Sequence, residues 1–198
     1  MCFFVTKIIE LKINQKYRIL GIDPGTNALG YAIVEVDGQA IQMVEIGVLT
    51  LTHLDEHQDK LKRIFERIQE IIEVHKPREA AIEAPFFGKN VQSMLKLGRA
   101  QGVAIAAIVT KGLRATEYAP REIKQSVTGK GAASKEQVAA MLEHILKIKL
   151  DQYTLDATDA LGAAVCHQFR SNSPLGGGKK FSGWGAYVKE NEKKVKKT

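Results

Sequence analysis

Hydrophobic residues alternate with polar or small ones over residues 17–23, and a period of two predicts a β-strand. The alternation places Leu20 and Ile22 on one face and Asp23 on the other. Two more runs of the same kind follow after short turns, and an Asp-Gly hairpin signal separates them. These strands are predicted at residues 29–38 and 39–51. The start of the chain therefore predicts an antiparallel meander of three strands.

Farther along, the apolar spacing changes to three and four residues, which is typical of amphipathic helices. Ser134-Lys-Glu-Gln137 is a capping box that opens one of them. Helices are predicted at 59–76, 90–112, 135–149 and 155–170, with short strands at 79–87 and 113–120. Strands reached through helical crossovers lie parallel to the first strand. We predict an α/β fold with a five-stranded mixed sheet, three antiparallel strands followed by two parallel ones.

Composition fits one globular domain, with 198 residues of which 44% are hydrophobic. We assign the domain to residues 17–170, an N-terminal extension to 1–16, and a Gly-rich linker with a basic tail to 171–198. Two cysteines make no disulfide framework, which indicates a reducing compartment. No apolar run reaches the length of a membrane span, and the first residues do not read as a signal peptide. We therefore expect a cytoplasmic protein.

The net charge of +7 invites a nucleic-acid interpretation, so its location matters. Residues 179–198 hold seven lysines and two glutamates, which leaves a net charge of only +2 on the rest of the chain. A lysine-rich end is commonly a solvated segment. Charge alone therefore does not identify the function.

Carboxylates stand at unusual places in this pattern. Asp23 ends the first strand, Glu83 ends the fourth, and Asp156 and Asp159 share one face near the start of the last helix. Each has an ordinary explanation, as a turn residue, an exposed strand end or an acid at a helix start. Together they come from three elements that one cleft can collect. Clustered carboxylates favour a divalent cation such as Mg²⁺ between them.

Five motifs in order carry a family resemblance: GIDPGTNALGYA, AIEAPFF, GRAQGVAIAA, IKQSVTGKGAASK and DATDALGAAVCH. Over residues 17–170 the chain resembles the RuvC family of Holliday junction resolvases. The resemblance implies a ribonuclease-H-like fold and a homodimer that nicks four-way DNA junctions during recombination and repair. It implies the catalytic and metal-binding acids Asp23, Glu83, Asp156 and Asp159. It also implies two Mg²⁺ per site (Mn²⁺ as a substitute), 5′-phosphate products and branch-migration partners.

The resemblance also implies residues that contact DNA. Phe86 or Phe87 would stack on or wedge a base at the crossover, and Phe86 is the closer match to the family's position, whereas the ordinary explanation for such a pair is core packing. Lys124 and Lys135 flank a Gly-rich loop whose backbone N–H groups would favour a phosphate. Apart from the resemblance, candidates for backbone contact are Lys130 in the loop and, around the start of the second helix, Lys89, Asn90, Ser93 and Arg99. In the family, the small-residue helix from Gly98 to Ala107 also forms the dimer interface.

Three alternatives compete with a resolvase. The motif GIDPGTNALG also resembles the phosphate loop of the actin and sugar-kinase ATPase fold, although a second phosphate loop and a second domain are missing from the sequence. A catalytically dead junction-binding module would tolerate the loss of an acid, yet all four are present. Another ribonuclease-H-like nuclease remains the third alternative. The lysine-bearing loop and the small-residue helix favour the RuvC type.

Overall fold

The computed structural model describes residues 16–85 and 90–171. The expectations for residues 1–15 and 172–198, and those for Phe86, Phe87 and Lys89, lie outside these ranges. The strands are β1 (Tyr17–Asp23), β2 (Ala28–Asp37), β3 (Ala40–Thr50), β4 (Glu79–Glu83) and β5 (Ala115–Tyr118). The helices are α1 (His57–His75), α2 (Val91–Val109), α3 (Pro120–Thr128), α4 (Lys135–Leu146) and α5 (Leu155–Ser171).

The five strands form one mixed sheet in the order β3-β2-β1-β4-β5. β1 pairs antiparallel with β2, and β2 pairs antiparallel with β3. β4 lies parallel to β1, and β5 lies parallel to β4. The predicted fold class is confirmed, and β1 occupies the centre of the sheet.

Helices cover both faces of the sheet, and the alternation within β1 decides which residues meet which layer. Ile19 packs in the core with residues of α3, α4 and α5. Leu20 and Ile22 pack in the opposite core with α1 and α2. Both faces of β1 are therefore buried, which is the usual condition of a central strand with parallel neighbours. Asp23 falls on the α5 side of the sheet, as the alternation predicted.

Two glycines let α5 approach the sheet closely. A Cβ on Gly21 would lie 2.1 Å from the carbonyl oxygen of Ala160, and a Cβ on Gly30 would lie 2.0 Å from that of Asp156. Real side chains do not reach such distances, so only glycine permits this contact. The backbone of α5 therefore rests directly on β1 and β2, which places the start of α5 beside the end of β1.

Helix α3 was not predicted, because residues 119–134 were interpreted as strand end and loop. Its signals are present in the sequence: Pro120 in the first turn, where the ring restricts φ to helical values, and Gly129 after the last turn. The Glu122 carboxylate accepts the backbone N–H of Ala119 at 3.0 Å. A helix of nine residues carries too little periodicity to be recognised by spacing alone.

Helix α4 is shorter than predicted. It begins after Ser134, whose side chain caps the first turn as the capping box predicted, and it ends at Leu146 rather than near residue 149. Lys147 takes a left-handed conformation with φ of 55°, and its N–H bonds to the carbonyl of Glu143. Among the helices of residues 16–85 and 90–171, none combines the length and apolarity needed to cross a bilayer.

We expect Gly21→Ala to push α5 off the sheet. The added methyl meets the Ala160 carbonyl and the Ala164 Cβ, so the free energy of unfolding should fall by about 1–3 kcal/mol. Gly162→Ala is a matched control on α5, because its Cβ would meet side chains and no backbone, with Ile123 at 3.2 Å and Leu142 at 3.9 Å. Chemical denaturation of both variants checks this, and equal stabilities would contradict the close-contact explanation.

Candidate active site

The carboxyl ends of β1 and β4 bring two acids together. The parallel register pairs Gly21 with Ala81 and Ile22 with Ile82, so Asp23 and Glu83 follow at the same level of the sheet. Both point to the α5 side, because each lies two residues beyond a residue of that face. The neighbourhood expected from the sequence is therefore confirmed.

Helix α5 supplies the third acid. One oxygen from each of Asp23, Glu83 and Asp159 lies within 4.8 Å of the others. Asp156 stands one turn earlier on α5 and is not part of this cluster. Its charge is still near enough to raise the pKa of Asp23. The structure thus assembles three of the four predicted acids tightly and leaves Asp156 at the side.

Lys135 is the cation that meets this cluster. It stands at the first position of α4, and its Nζ donates to Asp159 Oδ2 at 2.6 Å. This hydrogen bond raises the pKa of Lys135, so its ammonium group stays charged. One ammonium cannot neutralise three carboxylates.

Burial and mutual repulsion raise the pKa values of the two strand acids. Burial first, and then the charges of Asp159 and Asp156, raise the pKa of Asp23 to about 7. Burial first, and then Asp23 and Asp159, raise the pKa of Glu83 to about 8. In the absence of another cation these acids therefore hold protons near neutral pH. Such displaced values are typical of sites that bind metals or transfer protons.

The acids line a cleft of about 190 Å³. Its walls are the β1 and β4 ends, the start of α4 and the middle of α2. The lining residues beyond the acids and Lys135 are Pro24, Ala84, Pro85, Leu97 and Gln101. Three clustered carboxylates beside open space fit a hard divalent cation, which takes oxygen ligands and keeps several waters.

Among the residues that the structure describes, the other predicted contact residues do not line this cleft. Lys124 on α3 is near enough to lower the pKa of Glu83. Lys130 instead lines a separate groove with Met141 and His144. Asn90 caps α2, accepting the N–H of Ser93 at 3.1 Å. Arg99 is exposed on α2.

Arg99 belongs to a local concentration of positive charge. Burial lowers the pKa of His57, and the charges of Arg99, Lys96 and Lys60 lower it further. The first turn of α1 and the first half of α2 therefore present three cations together, and the sequence analysis singled out only Arg99 among them.

The Gly-rich loop differs from expectation. Its N–H groups were expected to face a phosphate, but several already donate within the loop. Gly129 donates to the Gln125 carbonyl, Gly131 to Gln125 Oε1 and Lys130 to Thr128 Oγ1. These three N–H groups are therefore not available to an anion, and the lysine side chains remain expected partners for it.

Sequence reasoning missed Gln101 altogether. It is a polar side chain between Ala100 and Ala104, which are fully buried, and it is itself only 8% exposed. A lone amide on the buried face of a small-residue helix was the available signal, because buried polar groups require a partner.

Comparisons with known proteins agree with this architecture. The family model described as crossover junction endodeoxyribonuclease RuvC matches residues 19–167. The RuvC of Cytophaga hutchinsonii is 56% identical over 90% of this chain and 88% of its own length. That of Christiangramia forsetii is 52% identical over 97% of this chain and all of its own length.

Solved structures give the same answer for the fold. Thermus thermophilus RuvC in complex with its Holliday junction substrate matches with a TM-score of 0.74 and 30% identity, over 78% of this chain and 94% of that one. The yeast mitochondrial Holliday junction resolvase Ydc2, at 13% identity and a TM-score of 0.61, shares the fold. The sheet and its acidic edge are those of a ribonuclease-H-like nuclease. The chain belongs to the RuvC family of crossover junction endodeoxyribonucleases.

We expect the metal-free protein to lose stability as pH rises. The folded-state pKa values of Asp23 and Glu83 lie above the usual values of these acids, so the folded state binds more protons between about pH 4 and pH 8. Stability is therefore highest at the acidic end of this range and falls toward pH 8. The melting temperature, measured in chelator from pH 5 to 8.5, should fall by several degrees.

Asp23→Asn should flatten this pH dependence and raise the melting temperature at pH 8, because the repulsion is gone. Asp55→Asn is the control, since Asp55 is exposed in the loop before α1. Adding Mg²⁺ should raise the melting temperature of the unaltered protein more at pH 8 than at pH 6, because the cation displaces protons. Parallel curves for the protein and Asp23→Asn would contradict the assigned repulsion.

Proposed function

We propose that this family member resolves four-way DNA junctions by metal-dependent nicks, with Asp23, Glu83, Asp159 and the adjacent Asp156 as its catalytic acids. Its activity as a junction endonuclease follows from membership of the family. The observation that supports Asp23, Glu83 and Asp159 is the cluster of their carboxylate oxygens within 4.8 Å at the carboxyl ends of β1 and β4, and Asp156 is added because its charge acts on Asp23.

The proposed cofactor is a pair of Mg²⁺ ions, for which Mn²⁺ can substitute. Bound there, divalent cations activate water and neutralise charge on the attacking and leaving oxygens of a phosphodiester. Asp23, Glu83 and Asp159 would hold one ion between β1, β4 and α5. Asp156, one helical turn away on α5, would serve the second.

The proposed role of the lysines is to balance the charge of the scissile strand. Lys135 already bonds to Asp159 at 2.6 Å, and Lys124 acts on Glu83 through its charge. Arg99 and its neighbours Lys60 and Lys96 form a second positive surface, on the first turn of α1 and the first half of α2, for a DNA arm. Lys130 and Asn90 remain candidates for peripheral contacts, Phe86 and Phe87 remain predictions from the resemblance, and Lys89 remains a prediction from its position in the sequence. Branch-migration partners and a cytoplasmic location are likewise predictions.

The assembly we propose is a homodimer through α2. The small residues of this helix lie on two faces. Ala100, Ala104 and Ala107 form the face that is buried in the core. The exposed side of α2 includes an uncharged stripe at helical spacing: Val91, Leu95, Gly98, Gly102, Ala106 and Val109. The exposed fractions of Val91, Leu95 and Val109 are 69%, 53% and 55%.

The glycines of this stripe favour a helix partner. A Cβ on Gly98 or Gly102 would meet nothing within 4 Å, so packing inside the chain does not require glycine at either position. Glycine in the middle of a helix costs about 1 kcal/mol relative to alanine. Close approach of a second helix would offset this cost. A two-fold dimer also presents equal sites to a junction of approximate two-fold symmetry.

Asp23→Asn should lower junction nicking by more than about 100-fold, because a neutral amide holds the cation poorly. Nicking of a labelled synthetic four-way junction, with Mg²⁺ and with chelator, measures this against a matched linear duplex. Asp55→Asn is the control and should cleave normally. Junction binding by Asp23→Asn should stay within about threefold of the unaltered protein. Loss of binding in parallel with cleavage would count against the assigned role.

Leu95→Lys should convert the dimer into a monomer, because two like charges would meet across the two-fold axis. Light scattering after gel filtration measures the mass, and a plasmid-borne cruciform reports the products. The monomer should give nicked circles in place of linear plasmid. Val74→Lys is the control, because Val74 on α1 is 71% exposed but lies outside the stripe. A dimeric Leu95→Lys would overturn this interface.

A further inference from the structure

Gln101 is the one uncharged polar side chain among the described residues that line the acidic cleft. The other lining residues are the three acids, Lys135 and apolar side chains. Gln101 is 8% exposed, so little of this residue reaches bulk water. A buried carboxamide has two N–H donors and one carbonyl acceptor to satisfy. Its place beside the acids therefore calls for partners inside the cleft.

Glu117 fixes the orientation of this amide. Gln101 Nε2 donates to Glu117 Oε2 at 2.5 Å. An ionised carboxylate only accepts hydrogen bonds, so the nitrogen of the amide must face Glu117 and the carbonyl oxygen must take the other position. Glu117 lies on β5, one residue before the partner of Glu83 in the β4–β5 register. Glu117 thus lies near the carboxyl end of β5, as Asp23 and Glu83 lie at the carboxyl ends of β1 and β4.

The carbonyl oxygen of Gln101 keeps its capacity to accept. Among residues 16–85 and 90–171, no donor reaches Gln101 Oε1, while Nε2 is committed to Glu117. A cation bound by few carboxylates keeps several waters, and those waters need acceptors. A neutral oxygen meets this need without adding negative charge to three acids that already repel one another.

We propose that Gln101, oriented by Glu117, is a positioning residue that accepts a hydrogen bond from the hydration shell of the divalent cation held by Asp23, Glu83 and Asp159. The inference rests on the proposed function, in which these acids bind the cation. Groups of this kind orient the ligands of a metal, and their loss commonly weakens metal affinity by about 10–100-fold. Glu117 acts only through Gln101.

Gln101→Leu tests this without DNA. The dissociation constant for Mn²⁺, measured by the spin resonance signal of the free ion, should rise by about tenfold. Leucine is close in size and would lie near Leu97, so the fold should persist, which the melting temperature checks. Gln69→Leu is the matched control, because its Nε2 donates to Thr110 Oγ1 at 3.0 Å outside the cleft. It should leave Mn²⁺ binding unchanged.

Glu117→Gln completes a double-mutant cycle. An amide at this position can donate or accept, so it no longer fixes which way Gln101 faces. The affinity for Mn²⁺ should fall by part of the factor seen for Gln101→Leu. The double variant should be no weaker than Gln101→Leu alone, because Glu117 has no other route to the cation. Additive losses would overturn the role assigned to Glu117.

Cleavage assays separate this inference from the proposed function. In Gln101→Leu the Mn²⁺ concentration for half-maximal nicking should rise about tenfold, while junction affinity in chelator stays unchanged. An unaltered midpoint and Mn²⁺ affinity in a folded Gln101→Leu would overturn the inference. Failure of the unaltered protein to bind Mn²⁺ through Asp23, or to nick junctions, would instead overturn the proposed function.

Discussion

Repulsion among three carboxylates is the constraint on which this molecule depends. Asp23, Glu83 and Asp159 bring oxygens within 4.8 Å, and burial first, then their repulsion, raises the pKa of Glu83 to about 8. Such a cluster persists only because the rest of the fold is rigid around it. The central strand, its parallel neighbour and the last helix each hold one acid on a backbone that cannot relax.

The contact between α5 and the sheet supplies much of that rigidity. Gly21 and Gly30 bring the helix backbone against β1 and β2, at places where any side chain would collide with a carbonyl oxygen. The start of α5, and with it Asp159, is therefore located by backbone contact rather than by adaptable side chains. Lys135, on the neighbouring helix, relieves only part of the remaining charge.

Sequence patterns predicted the parts that follow from periodicity. The alternation in β1 correctly separated Ile22 from Asp23, and the strand ends correctly brought Asp23 beside Glu83. Periodicity could not reveal α3, which is short, nor the internal hydrogen bonds that occupy the loop around Gly131. It also could not place Asp156 outside the tight cluster, because spacing defines a helix face and not the distance of a side chain from the sheet.

Helix α2 presents one face to the cleft and another to solvent. Gln101 lies on the first, and Leu95 and Gly102 lie on the second. A helix is stiff along its axis, so displacement at the outer face carries the inner face with it. If a second chain docks on α2, the helix that forms one wall of the cleft also forms part of the subunit interface. Binding of the partner subunit and hydration of the cation would then be coupled through this stiff helix, without any contact between the two sites.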